Sequence, residues 1–373
     1  MLRVGFVGWR GMVGSVLMQR MMEEEEFDGI ESTFYSTSKA GVAVPEFGAD
    51  GPGTVQDAGN LDALADHDVI VSCQGGDYTK EVYPKLRNHG WRGFWVDAAS
   101  TLRMEDDAII VLDPVNRRAI DDALDRDVKN YIGGNCTVSL MLMGIVGLLK
   151  AGAVEWISSM TYQAASGAGA AKMRELLTQM RSLTDAAGSA LDDPGVGILD
   201  IDREVQRAFS TPDFPLTQIG APLAGSLIPW IDSPMEDGRT KEEWKGAAET
   251  NKILGRSSTP IPVDGICVRV GAMRSHSQGL TIKLNRDIPL DEVEGIIAEG
   301  TPWTEVVPNQ KESTIERLNP AAVSGTLQVP VGRIRRMQMG EKYLALFTVG
   351  DQLLWGAAEP VRRMVGILKE RLV

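Results

Sequence analysis

One cysteine sits on a glycine hinge in the run Gly133-Gly134-Asn135-Cys136-Thr137-Val138-Ser139, just ahead of an apolar stretch, 140–149, that reads as a helix. If Cys136 opens that helix, the backbone N–H groups of the first turn and the helix dipole both favour thiolate over thiol. That chemistry makes a nucleophile. The same pattern also suits a buried cysteine acting as a small hydrophobe on an ordinary strand-to-helix turn. Because a free thiol is little ionised at neutral pH, a reactive one gains from a nearby base.

Three histidines are available for that role. His67, within Asp66-His67-Asp68, and His89, within Asn88-His89-Gly90, both read as surface residues. His276 closes the run 265–276, which reads as one strand and also carries Arg269 and Arg274. Regular alternation along a strand puts Arg269 and His276 on opposite faces, so both reach one site only if Gly271 or the strand end introduces a bulge.

A second constellation opens the chain. The segment Gly8-Trp9-Arg10-Gly11-Met12-Val13-Gly14 lies between an apolar strand, 2–7, and an apolar helix, 12–22. Its spacing is GxxGxxG, not GxGxxG, but glycines at a strand-to-helix turn let helix N–H groups receive a pyrophosphate. The alternative is a tight turn with close helix–sheet packing. At the end of the second strand, where an NAD site carries Asp or Glu, stands Ser36-Thr37-Ser38-Lys39. Hydroxyls and a cation tolerate a 2′-phosphate that a carboxylate repels, so NADP is expected over NAD, with Arg10 as a possible second cation.

These groups need a scaffold. Short apolar runs at 32–35, 69–73, 94–97 and 108–112 alternate with helical segments, the pattern of a doubly wound parallel sheet of Rossmann type. Beyond residue 156 longer strands at 158–164, 266–273 and 279–284, with helices at 171–181 and 198–209, indicate an α+β catalytic domain with a mostly antiparallel sheet. The segment 351–372 reads as helical, with Pro360 forcing a kink or restart and a return to the first domain. The expected fold class is therefore α/β, with a dinucleotide-binding domain over 1–134 plus a C-terminal helix of about 356–373, and a catalytic and dimerisation domain over 135–355.

Composition narrows the function classes. At 373 residues, with 43% hydrophobic and 24% charged residues, the chain is ordinary for a folded protein of two domains. A net charge of −13 opposes generic nucleic-acid binding and means that an anionic substrate needs a local cluster of Arg and Lys. The acidic run 23–26 reads as a solvated helix end. Cys73, Cys136 and Cys267 have neither disulfide-framework nor zinc-site spacing, the histidines form no metal cluster, and Cys73 and Cys267 read as core. Neither a signal peptide nor a membrane anchor is expected from the N-terminal residues, and the expected compartment is the cytoplasm.

Nine ordered segments carry a family resemblance: GWRGMVG, STS, CQGGDY, GGNCTVSLML, TYQAASGAG, PLAGSLIPWID, EEWKGAAETNKIL, CVRVGAMRSHSQ and VGDQLLWGAAEP. Together they resemble aspartate-β-semialdehyde dehydrogenase of the Gram-negative bacterial type, from Leu2 to the last helix. The match thins at 42–57, 182–197 and 298–313. The resemblance implies NADP- and phosphate-dependent oxidation of L-aspartate 4-semialdehyde to L-4-aspartyl phosphate. That reaction serves lysine, threonine, methionine, isoleucine and diaminopimelate biosynthesis.

By the same resemblance Cys136 forms a thiohemiacetal and then an acyl-thioester, and His276 is the acid/base that takes the thiol proton. Gln163 orients substrate, and Asn135 positions substrate or phosphate. Arg269 grips the substrate carboxylate, Glu242 faces its ammonium, and Arg103 and Lys245 bind phosphate. Gly8, Arg10, Gly11, Met12, Val13, Thr37, Ser38, Gln74, Ser166, Gly167, Pro194 and Gln352 fall at the NADP site. No metal is implied, and a homodimer is expected. N-acetyl-glutamyl-phosphate reductase and glyceraldehyde-3-phosphate dehydrogenase share the thiohemiacetal logic, and a silent NADP-binding regulatory protein is the reading from another class.

Overall fold

Leu2–Val7 (β1) is buried at every position except Arg3, as a central strand covered on both faces must be. The structure, a computed structural model, describes residues 1–44 and 51–373. Part of the 42–57 stretch, residues 45–50, therefore lies outside the described residues. After β1 come α1 (Met12–Glu23), β2 (Ile30–Ser36), β3 (Gln56–Asp57), α2 (Leu61–Ala65), β4 (Val69–Ser72) and α3 (Gly76–Asn88). Then follow β5 (Phe94–Asp97), β6 (Ala108–Val111), α4 (Asp113–Asp125) and β7 (Asn130–Gly133). The seven strands are all parallel, in the order β3-β2-β1-β4-β5-β7-β6.

Strand order reverses between β1 and β4, and the crevice beyond their carboxyl ends is where a doubly wound sheet takes its ligand. The glycine loop closes onto that crevice. A Cβ on Gly8, which has φ of +76°, would lie 2.5 Å from the backbone nitrogen of Gln74, and one on Gly14 would lie 2.2 Å from the carbonyl oxygen of Gly8.

The second half contains α5 (Cys136–Lys150), β8 (Val154–Gln163), α6 (Ala170–Ala187), α7 (Ile198–Phe209), β9 (Leu227–Ile228), α8 (Lys241–Ile253), β10 (Val263–Asp264), β11 (Cys267–Val270) and β12 (Ser275–Leu284). It ends with α9 (Leu290–Ala298), β13 (Thr304–Val306), α10 (Lys311–Arg317), α11 (Pro320–Val323), β14 (Val329–Met337), β15 (Gly340–Asp351) and α12 (Glu359–Leu372). The sheet order is β13-β14-β15-β12-β8-β11-β9, with β10 also beside β8. Pairing is antiparallel through β14, β15, β12 and β8 and between β11 and β9, and parallel where β13 meets β14 and where β10 and β11 meet β8. The sheet is thus mixed. Helix α5 is apolar nearly all round and lies in one core with Leu280, Ile282, Val331 and Leu346.

A π-helical turn at Leu354–Ala358 leads into α12, whose second residue is Pro360. Helix α12 packs on α1 of the first sheet. There Arg362 bonds both Glu359, at 2.6 Å, and Glu26. Glu26, in the turn after α1, is therefore partly buried against α12 and departs from the solvated helix end read for 23–26.

Segment 265–276 departs from the single strand expected. Strand β11 stops at Val270 and β12 starts at Ser275, and β8 runs between them. Residues 271–274 instead cross over the end of β8, where the carbonyls of Ala272 and Met273 accept the N–H groups of Ala165 (2.8 Å) and Ser166 (3.0 Å). The backbone of this segment bonds to the chain leaving β8, so it cannot continue one ladder.

His67 also departs from its surface reading, being 8% exposed. Its ring stacks edge-on with Tyr35 at 5.5 Å and sits where Gly5 leaves room, since a Cβ there would come within 2.8 Å of it. His89 is exposed and meets Asp62 at 2.8 Å. Cys267 is buried, while Cys73, just past β4, is only partly so. Among the described residues no helix is long and apolar enough to cross a membrane, and no group of three or more His, Cys, Asp or Glu could hold a metal ion.

Candidate active site

Strand β7 delivers Gly133 and Gly134 to the start of α5. Asn135 caps that helix, its side-chain oxygen accepting the N–H groups of Thr137 (3.0 Å) and Val138 (3.2 Å), so Cys136 is the first helical residue. The capping oxygen also accepts the Thr137 hydroxyl at 2.7 Å. The other end of the Asn135 amide donates to Glu242 Oε1 at 3.0 Å, and its backbone N–H donates to Glu249 Oε2 at 2.7 Å. Opposite, a Cβ on Gly356 would lie 2.7 Å from Cys136 Cβ, so the last π-helical turn approaches the cysteine only because it carries glycine.

Cys136 Sγ and His276 Nε2 lie 3.3 Å apart. The two residues are 140 positions apart in the chain. His276 is 1% exposed, and its Nδ1 accepts the backbone N–H of Ala164 at 3.0 Å. Arg269 Nη1 donates to the carbonyl of the same Ala164 at 2.7 Å. The crossover past β8 thus brings Arg269 and His276 to one place from strands on either side of it. Between them lies Gly167, where a Cβ would sit 3.0 Å from both Arg269 Nη1 and His276 Nε2.

Glu242 gathers three more of the expected residues. Its Oε1 accepts Asn135 Nδ2 and Gln163 Nε2 (3.2 Å), and its Oε2 accepts Lys245 Nζ at 3.1 Å. Lys245 also bonds Asp232 at 2.7 Å. Arg103 donates from Nε to the Gly133 carbonyl at 2.8 Å and from Nη1 to Glu249 at 2.9 Å. Glu249 and Asp232 do not figure among the residues expected from sequence. Glu242, Lys245 and Glu249 stand at i, i+3 and i+7 of α8, one helical face, and that periodicity is the signal that points to Glu249.

These side chains wall a cavity of about 370 Å³ that holds Cys136, Asn135, Gln163, Gly167, Val13 and Gln352. Four cations line it (Arg103, Lys172, Lys245 and Arg269) against two carboxylates, Asp232 and Glu242. This is the local positive cluster that so acidic a chain needs to hold an anion. Lys172, near the start of α6, is a further cation absent from the sequence-based set.

Burial and then the charge of Glu242 push the Cys136 thiol up to about 12, against the pull of Arg269, Arg103 and Lys245. Burial thus favours the thiol form of Cys136. Burial, with Arg269 adding to it, lowers His276 to about 3 and keeps the imidazole neutral. Lys245 is raised, because Glu242 and Asp232 outweigh the effect of its burial.

The remaining expected residues lie mostly along the crevice of the first sheet. Gly8, Arg10, Gly11, Met12 and Val13 form the turn and first residues of α1. Arg10 Nη2 donates to Ser36 Oγ at 2.7 Å, so a guanidinium stands at the end of β2. Ser36 Oγ also accepts the N–H groups of Ser38 and Lys39, each at 3.2 Å. Gln74 Nε2 donates to Thr37 Oγ1 at 3.3 Å, tying the ends of β4 and β2 together. The Ser166 hydroxyl donates to the Arg274 carbonyl at 2.8 Å. Pro194 is the exception. It is exposed in the turn before α7 and is not among the residues that wall the cavity. Gln352 lines the cavity with its Oε1 buried and unpartnered, an acceptor whose hydrogen bond is unmet.

Residues 3–123 match the family described as semialdehyde dehydrogenase, NAD binding domain, and residues 145–355 match semialdehyde dehydrogenase, dimerisation domain. A solved aspartate semialdehyde dehydrogenase from Francisella tularensis is 49% identical, with 99% of this chain and 100% of that one covered and a TM-score of 0.93. Two further structures share the fold. Aspartate semialdehyde dehydrogenase II from Vibrio cholerae, complexed with ASA, is 24% identical over 100% of this chain and 99% of that one, with a TM-score of 0.79. The Candida albicans enzyme with NADP is 18% identical over 99% and 98%, with a TM-score of 0.65. A cysteine at a helix start, a histidine against its sulfur and a nicotinamide-type crevice beside them accord with these matches, and the chain belongs to the semialdehyde dehydrogenase family.

Proposed function

We propose that the protein catalyses the reversible, phosphorylating oxidation of L-aspartate 4-semialdehyde to L-4-aspartyl phosphate with NADP, through an acyl-thioester on Cys136. One observation carries this reading: Cys136 and His276 meet at 3.3 Å in a cavity that also presents Arg269 and Glu242. A planar guanidinium suits the substrate α-carboxylate, and a carboxylate suits its ammonium, so an amino-acid aldehyde is held at both ends. Gln163, bonded to Glu242, is placed to orient the aldehyde at the sulfur, and Asn135 fixes the helix start that carries it. Arg103 and Lys245 form the phosphate site. Both are steadied by carboxylates, which lets two cations share a small space before phosphate arrives.

The dinucleotide site fits on this chain's own residues. The glycine loop brings backbone close to the crevice, and the unpartnered Gln352 acceptor suits a carboxamide N–H. A dinucleotide held by these residues would supply the hydride acceptor for the oxidation. Arg10 at Ser36, with no carboxylate ending β2, supports NADP over NAD. Gly8, Gly11, Met12, Val13, Thr37, Ser38, Gln74, Ser166 and Gly167 belong to the same site in this reading. Pro194, in the turn before α7, is assigned near the same site.

The division proposed is 1–134 with about 356–373 against 135–355, two copies pairing through the second part. Trp156, Met160, Tyr162, Tyr343 and Phe347 form an incompletely covered apolar face of its sheet, with Trp156 on Tyr343 at 6.1 Å and Tyr162 near Phe347 at 6.2 Å. That face supports a homodimer. Three free cysteines fit a reducing compartment such as the cytoplasm.

The test is NADP reduction with aspartate semialdehyde in the presence and absence of phosphate. Turnover that needs phosphate and vanishes in Cys136→Ser supports the reading. A Cys136→Ser variant at near-normal rate, or equal use of NAD, removes the nucleophile or the cofactor assignment respectively.

A further inference from the structure

We propose that Lys172 is a second cation for the substrate α-carboxylate, standing with Arg269 and setting the preference for an aldehyde with an anionic end. The proposal deepens the function proposed above and rests on that reading of the site.

The four cations that wall the catalytic cavity differ in what already holds them. Arg103 is paired with Glu249, and Lys245 with Glu242 and Asp232. Arg269 and Lys172 have no carboxylate partner among the described residues, and the Lys172 ammonium has no hydrogen bond either. Lys172 is the third residue of α6 and is half-buried. Two carboxylates are placed to meet it, Glu175 one turn along α6 and Asp232 on the wall of the same cavity. Both are committed. Glu175 accepts the N–H groups of Gln218 (2.6 Å) and Ile219 (2.7 Å) on its two oxygens. Asp232 uses one oxygen on Lys245 and the other on the N–H of Ser233 at 2.7 Å. A half-buried ammonium without a partner carries a desolvation cost that an arriving anion removes.

The cavity walls say which anion. Lys172 and Arg269 together line a second, smaller cavity of about 120 Å³, with Asp232, Ile231 and Trp230. Among the described residues, neither Arg103 nor Lys245 lines it, and neither does Gln352. Lys172 therefore shares a compartment with the arginine assigned to the α-carboxylate and not with the pair assigned to phosphate. Arg269 is partly spent there, since its Nη1 donates to the Ala164 carbonyl at 2.7 Å. A carboxylate offers about four lone-pair sites, more than one edge of a guanidinium fills. Lys172 supplies a further donor as a point charge on a flexible stem. No bond is made or broken by it. Its contact is remote from the reacting carbon and is the same before and during the chemical step, so it acts on KM and not on kcat.

Steady-state kinetics and thiol labelling of the full chain test this. Lys172→Met should raise KM for aspartate semialdehyde about tenfold, with kcat within about threefold of wild type. KM for inorganic phosphate and for NADP should stay within about twofold, and Lys172→Arg, which keeps the charge, should recover most of the loss. Labelling of Cys136, followed by the mass of its peptide, needs no aldehyde. Iodoacetate carries a carboxylate and iodoacetamide does not, so the ratio of their rates cancels any change in thiol ionisation. That ratio should fall about fivefold in Lys172→Met. An unchanged KM for the aldehyde, a rise in KM for phosphate or NADP in its place, or an unchanged labelling ratio overturns the proposal. A chain whose labelling ratio depends on Lys172 but which shows no phosphate-dependent NADP reduction would fail the proposed function and leave the anion site standing.

Discussion

Arg269 and His276 come from different strands yet grip the same residue, Arg269 taking the carbonyl of Ala164 and His276 its N–H. This follows from the path of 271–274 across the end of β8, which leaves β11 on one side and β12 on the other. The problem of opposite faces on one strand does not arise, because each side chain approaches the end of β8 from its own strand.

The first prediction concerns the gap between those two side chains. Gly167 has an ordinary backbone conformation and is exposed, so Gly167→Ala should fold normally. Its methyl group would press within 3.0 Å of both Arg269 Nη1 and His276 Nε2, where the reacting aldehyde is proposed to lie. Turnover per unit substrate, kcat/KM, should drop by about tenfold or more with the thermal midpoint nearly unchanged. Activity within about twofold of wild type would mean that substrate does not use this space.

Arg103 and Glu249 form a buried pair, at 6% and 1% exposure, and the second prediction concerns its energetics. Arg103→Met or Glu249→Gln alone strands a charge, and each should cost about 3 kcal/mol in urea unfolding. The double variant removes both charges and should cost clearly less than the sum. Additivity within about 0.5 kcal/mol would show that the two do not act as a pair.

Glu242 is the charge that, after burial, does most to hold the Cys136 thiol up. Glu242→Gln keeps the size and an acceptor for Asn135 and Gln163 but loses that charge. The thiolate fraction at a given pH should rise, and iodoacetamide should alkylate Cys136 faster at about pH 8. An unchanged or slower rate across the pH range would show that Glu242 does not control the thiol.

His67 makes the last prediction, on acid stability. Burial, aided by Arg3, lowers its folded value to about 4, while in the unfolded chain it titrates near about 6.5. Below that pH the unfolded state binds a proton that the folded state refuses. Stability should therefore fall between about pH 6.5 and about pH 4, by about 3 kcal/mol from this residue. His276 has the same sign, so His67→Phe should flatten the decline without abolishing it. Urea midpoints at about pH 7 and pH 4.5 compare the two proteins, and identical slopes would remove His67 as the source.

Local pattern made much of the fold legible. The strand 94–97 and the helix 198–209 coincide with β5 and α7, because short apolar runs and 3.6-residue periodicity are properties of neighbouring residues. The glycine loop was legible for the same reason, its glycines standing where a strand turns into a helix. Less legible was the run 265–276, whose apolar residues read as continuous while a backbone crossing breaks it after Val270. The burial of His67 is not legible in its own segment because it depends on Gly5 in β1, 62 residues earlier in the chain.

By itself the sequence placed Cys136 behind a glycine hinge just ahead of a helix, put a glycine-rich turn between the first strand and α1, and arranged nine ordered segments in one family's pattern. Each rests on residues adjacent in the chain. Only the tertiary structure decided that His276 meets that sulfur and Arg269 stands beside it, that Glu249 braces Arg103 and Asn135 from 146 and 114 residues away, and which nitrogen of His276 faces the thiol. The physical reason is that side-chain neighbours across a sheet are set by strand order and by where the backbone crosses, and neither is encoded in the spacing along any single strand.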